Sequence, residues 1–518
     1  MPEADSTHTG RWVLVSTILV SSMAFIDGSA LNVALPSLQA DLGASAVELL
    51  WVVNAYLLML AALILIGGSL GDHLGRKRVF MAGVALFLAG SLSCGVAPSP
   101  ALLIAARVVQ GAGGAIMIPG SLAIISAYFS PEQRGKAIGT WSSVTTAVTL
   151  VGPVLGGLLA DAGLWRGVFL INVPIGLVAL WMLAIHVPES RSEGSARRID
   201  LAGAALAALG LGGLAYGLTS APDYGFGDPR VWGSLLPGLA ALAAFVWVEA
   251  HQAEPMVPLH LFRSPTFLGA NLLTLFLYGG LSAFSLFFSL NLVQAQGYSQ
   301  STAGLAITPF ALMLTLLSRW AGALADRFGP RRFLIGGPAL VGVAFVLLAL
   351  AGQTRGPASY WTAYFPAILL FGAGMGFTVA PLTTSVMNAV ETRFAGTASG
   401  INNAVSRTAG VLAIAVVGAV ALFTFSAGLQ TRTQSLELPA PARQELAASA
   451  GQLGGAQPPA GLAPAARQQV QDAIRSALIN TFQTALWICA GLAWASAAMA
   501  AVFIRDPAHD RAGEMATP

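Results

Sequence analysis

An all-α, polytopic membrane protein is the fold class that this sequence predicts, and three observations predict it. First, 55% of the 518 residues are hydrophobic and only 9% are charged, where soluble domains carry about a quarter charged residues. Second, apolar runs of about eighteen residues or more recur along the chain, each long enough to cross a bilayer core as a helix. Membrane barrel strands would be about ten residues long and alternating, which these runs are not. Third, a charged turn occurs twice. Residues 68–78 read G-S-L-G-D-H-L-G-R-K-R and residues 322–332 read G-A-L-A-D-R-F-G-P-R-R, so that Gly68, Leu70, Asp72, Gly75 and Arg78 match Gly322, Leu324, Asp326, Gly329 and Arg332. A positive loop that only sets orientation accounts for the bases, but not for the matched Asp and Gly spacing. One charged turn at one place in two hydrophobic halves points to a duplicated membrane unit.

Residues 1–10 read as a loose polar tail, followed by an apolar run over 12–36 with Asp27 in its middle. That run is too long for a signal-peptide core and ends without a small-residue cleavage site, so it is the first span. Spans near 47–70, 79–97, 101–127, 136–160 and 166–187 complete a six-helix bundle over 11–187. Two more, near 199–219 and 231–249, lie between charged linkers in an inserted segment, 188–263. A second six-helix bundle, 264–504, holds spans near 266–292, 302–325, 333–352, 361–387, 396–424 and 480–504, and 505–518 is a tail. The count is about fourteen, arranged as six, two and six, with the duplicated turn after the second span of each six. Residues 425–479, rich in Ala, Gln and Pro, read as a mobile loop in which 464–479 could form a surface helix.

Loop charge sets the orientation. With the N-terminus inside, Arg76, Lys77, Arg78, Arg134, Lys136, Arg191, Arg197, Arg198, Arg263, Arg327, Arg331, Arg332 and Arg393 face the cytoplasm. Only Arg166, Arg230 and Arg355 fall in the short external loops, an asymmetry that obeys the positive-inside rule and puts both termini in the cytoplasm, with 425–479 outside. A net charge of +3, collected in loops, leaves no nucleic-acid-binding face. Cys94 and Cys489 lie far apart in apolar runs and read as small fillers, with no metal or disulfide framework. No G-x-x-x-x-G-K-[ST] loop is present to hold a nucleotide.

The chemistry sits in the spans. Asp27 is the only acid near the centre of any span, where a charged Asp costs about 2.5–3.5 kcal/mol on insertion scales and intramembrane acids are usually functional. The alternative is a structural acid hydrogen-bonded to a neighbouring helix. Arg107 is a second buried charge and shares a helix face with Gln110. A buried guanidinium needs a partner, and Asp27 or main-chain carbonyls are the candidates, in a static pair or in one that responds to protonation. Asn32, five residues from Asp27, lies on another face of its helix and suits packing as well as it suits a ligand. Tyr56 is a deeper cavity candidate, whereas Trp51 and Trp165 also suit an interfacial belt. Pro153 kinks the fifth span, and Gly139, Gly152, Gly156 and Gly157 give it a flat face for a neighbouring helix. In the second half, Asn403 and Arg407 are intramembrane; Arg407 lines a cavity or ties helices together, and Arg319 can snorkel to the interface.

These residues resemble known signatures. The loop at 68–78 resembles the G-x-L-a-D-r-x-G-r-k-x motif of the major facilitator superfamily, with His73 and, in the second copy, Pro330 standing where that motif has Arg. I-D-G-S-A-L-N-V-A-L-P at 26–36 resembles the signature of its drug:proton antiporters, with Ser29 in place of Thr. R-x-x-Q-G at 107–111 is similar to the proton-linked motif, and G-P-x-x-G-G at 152–157 to the antiporter motif. The stretches W-V-V-N-A-Y-L-L at 51–58, W-R-G-V-F-L-I-N-V-P-I-G at 165–176 and G-T-A-S-G-I-N-N-A-V-S-R at 396–407 resemble the fourteen-span branch.

The resemblance implies a major facilitator fold of two six-helix bundles with two inserted helices. It implies a multidrug antiporter, not an enzyme, in a bacterial inner membrane, exporting amphipathic small molecules by alternating access. The proton gradient would drive it with no cofactor, and its partners would be substrate, protons and the lipid bilayer. Asp27 and Arg107 would couple protons, and Asp27, Asn32, Tyr56, Gln110, Asn403 and Arg407 would line the substrate cavity. Gly68, Asp72, Gly75, Arg76 and Arg78, with Asp326, Arg327 and Arg332, would form a conformational latch, and Gly139, Gly152, Pro153, Gly156 and Gly157 the antiport motif. A dedicated exporter of one metabolite or antibiotic uses the same machinery, and a non-transporting sensor or scaffold is the reading from another class. Some relatives that export divalent lipophilic cations carry a second acid deep in the later spans; this chain has none there.

Overall fold

The structure is a computed structural model that describes residues 3–190, 200–253, 255–391, 394–434, 436 and 438–505. Every regular element among the described residues is helical, and fourteen helices are long and apolar enough to cross a membrane. The first half contains α1 (Glu3–Leu42), α2 (Ala46–Leu74), α3 (Arg76–Val96), α4 (Pro100–Tyr128), α5 (Pro131–Asp161), α6 (Gly167–Leu170) and α7 (Asn172–His186). The inserted pair is α8 (Leu201–Tyr224) and α9 (Pro229–His251). The second half contains α10 (Pro265–Leu290), α11 (Gln300–Ala306), α12 (Thr308–Phe328), α13 (Pro330–Leu350), α14 (Tyr360–Ala363), α15 (Phe365–Asn388), α16 (Ala395–Gln434), α17 (Ala440–Ser449) and α18 (Pro464–Phe503).

Local chemistry explains where the helices begin. Ser99 caps α4 by accepting from Leu102 N, Ser264 caps α10 in the same way from Phe267 N, and both helices have Pro in their first turn. Proline is suited to that turn because its missing N–H would be unsatisfied there anyway.

Several expectations need correction. Residues 3–10 are not a loose tail but the first turns of α1, since nothing in E-A-D-S-T-H breaks a helix. The stretch expected as an external loop, 425–479, is largely helical: α16 runs on to Gln434, α17 follows, and Pro464 starts an α18 that continues unbroken into the last span. Its Ala, Gln, Arg and Leu are strong helix formers, so 464–479 extends the spanning helix rather than lying apart from it. Arg191, Arg197, Arg198, Arg393 and residues 506–518 lie outside the described residues.

The chain forms two compact units. The first gathers α1, α2 from Glu48, α3 to α7, α8 as far as Leu214 and α9 from Gly233; the second gathers the rest of the inserted pair with α10 to α18. In the first unit α1 packs on α4, α5 and α7, and α3 packs on α4 and α7. In the second, α10 packs on α16 and α18, and α13 packs on α15 and α18. The pairings recur at equivalent places in the two units. Tyr56, Phe80, Phe87 and Met117 belong to the first unit's apolar core. Phe284, Phe345 and Phe371 fill that of the second, with ring centroids 5.0–5.2 Å apart.

The repeated turn has a backbone reason. Gly75 between α2 and α3 has φ 107°, and Gly329 between α12 and α13 has φ 84°. Side chains rarely adopt such angles, which is why the matched position is glycine in both copies. Gly329→Ala is therefore expected to destabilise the protein by about 1–2 kcal/mol. Gly336→Ala, inside α13 with open space around it, is expected to leave stability unchanged or raise it. Thermal unfolding in detergent measures both, and equal losses in the two variants would contradict this account.

Candidate functional site

Asp27 and Arg107 meet inside the first unit. Both side chains are buried, at 0% and 1% exposure, and Arg107 Nη1 donates to Asp27 Oδ2 at 2.5 Å. Gln110, one helical turn after Arg107, completes the carboxylate: its Nε2 donates to Asp27 Oδ1 at 2.8 Å while its Oε1 accepts from Arg107 Nη1 at 2.8 Å. The R-x-x-Q spacing thus lets two side chains on one face of α4 grip both oxygens of a single acid on α1. Arg107 Nε donates to the main-chain carbonyl of Val52 at 3.1 Å, and its guanidinium lies 4.2 Å from the centroid of the Tyr56 ring. Both candidate partners of the guanidinium are therefore real: an acid on α1 and a carbonyl on α2, with an aromatic face beneath it.

A further layer holds the glutamine. Gln110 Nε2 also donates to Ser91 Oγ at 3.2 Å, Asn172 Nδ2 donates to the same oxygen at 3.0 Å, and Ser91 donates to Phe169 O at 2.9 Å. Ser91 on α3 and Asn172 at the start of α7 had no assigned role from sequence. Asn172 was visible only within the N-V-P-I-G stretch, and Ser91 only as a hydroxyl in an apolar span. Cys94, read as a filler, is buried and also directs a weak S–H donor at Gln110 Oε1, 3.6 Å away.

The glycine–proline motif of α5 lies against the same helix as Asp27. A Cβ at Gly152 would strike the Ser29 hydroxyl, and one at Gly156 the Ala30 carbonyl, so α5 reaches the backbone of α1 two to three residues beyond the acid. Gly157 is buried and Pro153 lies inside α5. Gly139 is not part of this face: it is exposed, with nothing within 4 Å of a Cβ placed on it. Its position nearly four turns earlier in α5 puts it beyond the close approach.

The remaining candidates are dispersed. Asn32 Nδ2 reaches back to Gly28 O at 3.5 Å on its own helix. In the second unit, Asn403 Nδ2 donates to Ser399 O at 3.1 Å, and Arg407 has a buried Nε without a hydrogen-bond partner among the described residues. Trp165 is buried rather than belt-like; its indole donates to Asp41 Oδ2 at 3.1 Å, and Arg166 donates to the same oxygen at 2.5 Å. This tie between the end of α1 and the loop before α6 gave no signal in the sequence.

Of the charged turns, the side chains of Asp72, His73, Asp326, Arg134, Lys136 and Arg319 lie outside the described residues. Gly68 packs near Pro119, Arg327 lies over the Phe328 ring at 5.3 Å and Arg332 is exposed. The first turn holds a partner that sequence reasoning missed. Glu189, just past α7, accepts from Lys77 N at 3.0 Å and Arg78 N at 3.2 Å, and Arg76 N donates to Ser190 O at 2.9 Å. Its carboxylate also lies 3.7 Å from Arg78 Nε. An acid from a distant loop thereby satisfies the free N–H groups at the start of α3, where the helix dipole favours negative charge.

Comparison with known proteins places this geometry in context. The family model described as Major Facilitator Superfamily matches residues 17–414. The multidrug resistance protein Stp of Mycobacterium tuberculosis is 35% identical over 82% of this chain and 78% of its own. The tetracenomycin C resistance and export protein of Streptomyces glaucescens is 31% identical over 95% of this chain and 91% of its own. Among solved structures, a bacterial homolog of the human lysosomal transporter Spinster aligns with a TM-score of 0.65, covering 98% of this chain and 100% of that one. At 18% identity, that likeness establishes the fold alone.

Two expectations follow from the geometry. Asp27→Asn and Arg107→Gln should each destabilise the purified protein, because removing one member of a buried pair typically costs about 3–5 kcal/mol. The double variant should lose clearly less than the sum, and additive losses in thermal unfolding would mean that the contact carries no coupling. Glu189→Gln, which keeps the shape and removes the charge from the α3 N-terminus, should cost about 0.3–1 kcal/mol, diminishing in high salt. A loss independent of salt would count against the electrostatic part of that account.

Proposed function

The chain belongs to the Major Facilitator Superfamily and is a membrane transporter, not an enzyme; on that premise we propose that it exports amphipathic small molecules in exchange for protons. The observation that carries the reading is the Asp27–Arg107–Gln110 cluster, a titratable acid sealed between helices of one unit. Ionised Asp27 neutralises Arg107. A proton arriving on Asp27 removes that neutralisation and leaves a buried cation facing neutral oxygens and the Tyr56 ring. Such a state is costly in a low-dielectric interior, so protonation and rearrangement of α1, α2 and α4 are coupled. The proton gradient supplies about 2.3 kcal/mol per charge per 100 mV of membrane potential, and no cofactor enters the cycle.

In this cycle the substrate enters from the cytoplasm, protons from outside load Asp27, and the substrate leaves as access alternates. The close contact of Gly152 and Gly156 with Ser29 and Ala30 lets movement of α5 reach the helix that carries the acid. Asp72 and Asp326, in the two copies of the charged turn, serve as the latch, with Glu189 as an additional partner on the first copy. The protein resides in a bacterial inner membrane with both termini in the cytoplasm, as its loop charges support. The names of the relatives, one for multidrug resistance and one for export of tetracenomycin C, support an export direction. The second name also favours a narrower reading, export of a single antibiotic or metabolite, and competition among unlike substrates separates the two.

The test is efflux of a fluorescent lipophilic probe from loaded cells, with and without an uncoupler, for wild type and Asp27→Asn. Uncoupler-sensitive export that the variant loses is the expected result. Full proton-coupled export by Asp27→Asn would overturn the mechanism.

A further inference from the structure

A pocket of about 100 Å³ opens within the second unit, lined by Tyr278 of α10, Thr383 of α15 and Ser399, Asn402, Asn403 and Ser406 of α16. All but one valine of its wall is polar. Arg407 follows Ser406 in α16 and lies one helical turn from Asn403, hence on the same helix face as that lining asparagine.

Arg407 contrasts with Arg107. The latter is consumed by an acid, an amide and a carbonyl. The former has a buried Nε with no hydrogen-bond partner and takes part in none of the ion pairs among the described residues. The three helices that build the pocket, α10, α15 and α16, contain no Asp or Glu. A cation that only tied helices together would be spent on carbonyls or acids nearby, and among the described residues this one has no such hydrogen bond or ion pair. The wall also offers donors: no hydrogen bond among the described residues occupies the hydroxyls of Tyr278 and Ser406. Asn402, by contrast, is spent on Asn271 and Thr274, at 3.2 and 2.7 Å, which fixes the wall in place.

We propose that this pocket, with Arg407, is a subsite for the anionic end of an amphiphilic substrate, a carboxylate or a phenolate. The inference rests on the export reading above and names the substrate class within it. The size suits the role, since about 100 Å³ admits a headgroup and falls below the roughly 300 Å³ at which pockets bury a whole drug-sized ligand. The bound anion supplies the counter-charge that the helices themselves lack. The apolar remainder of the substrate stays outside the subsite.

The experiment is equilibrium binding of dansylglycine and of its primary amide, dansylglycinamide, to the purified full-length protein in detergent. Wild type is expected to bind the acid about tenfold more tightly than the amide, the scale of one charge-assisted hydrogen bond. Arg407→Gln should abolish that preference, Arg407→Lys should keep part of it, and Tyr278→Phe should reduce it. If Arg407→Gln does not fold, the lysine and phenylalanine variants carry the same readout. Equal binding of acid and amide by wild type, binding of neither, or a preference that survives in the folded arginine variants overturns the subsite. The measurement is independent of any gradient: if Asp27→Asn leaves proton-coupled flux intact, the coupling mechanism fails while the binding preference still stands or falls by itself.

Discussion

Two opposite charges held in the interior of a spanning helix bundle constrain everything around them. Asp27 and Arg107 are each costly to bury, and their attraction offsets that cost only when the remaining donors and acceptors are also satisfied. The first unit is arranged to do this. Gln110 takes the second carboxylate oxygen, Val52 offers a carbonyl to Nε, and Tyr56 presents its ring to the guanidinium. Those partners come from α1, α2 and α4, so the relative placement of three helices is written into one ion pair. Ser91 and Asn172 extend the constraint to α3 and α7 by fixing the glutamine.

The same argument separates the pair from simple adhesion. Apolar packing would join these helices at lower cost, and a fully satisfied buried pair contributes little net stability. What the pair adds is sensitivity: adding one proton changes the charge of the cluster and makes its present geometry unfavourable. The near-contact of Gly152 and Gly156 with α1 places a closely fitted helix surface beside that cluster. A bulkier interface would separate the two helices.

The two units share a plan but not a charge distribution. Helix pairings recur, and so does the positive-φ glycine at the turn, Gly75 in one and Gly329 in the other. Yet the first unit closes its interior arginine with an acid, whereas the second leaves Arg407 beside a polar pocket with no acid on the surrounding helices. Duplication accounts for the backbone. The interior charge differs between the two units.

The sequence by itself determined the membrane fold, the helix count and the duplicated turn, because span length, hydropathy and motif spacing are properties of consecutive residues. It also identified Asp27, Arg107 and Gln110, since charged and polar groups are rare enough in a spanning helix to stand out singly. Only the tertiary structure decided what they touch: Asp27 and Arg107 are eighty residues apart, and no local pattern selects one partner over another. Ser91, Asp41 and Glu189 escaped notice, and Asn172 stood out only as part of a motif, for the same reason: each is an ordinary polar residue whose importance lies in a contact across the chain. Helix ends such as Gln434 and Pro464 were misplaced because hydropathy marks where lipid begins, whereas a helix continues as long as its backbone hydrogen bonds and side-chain propensities allow.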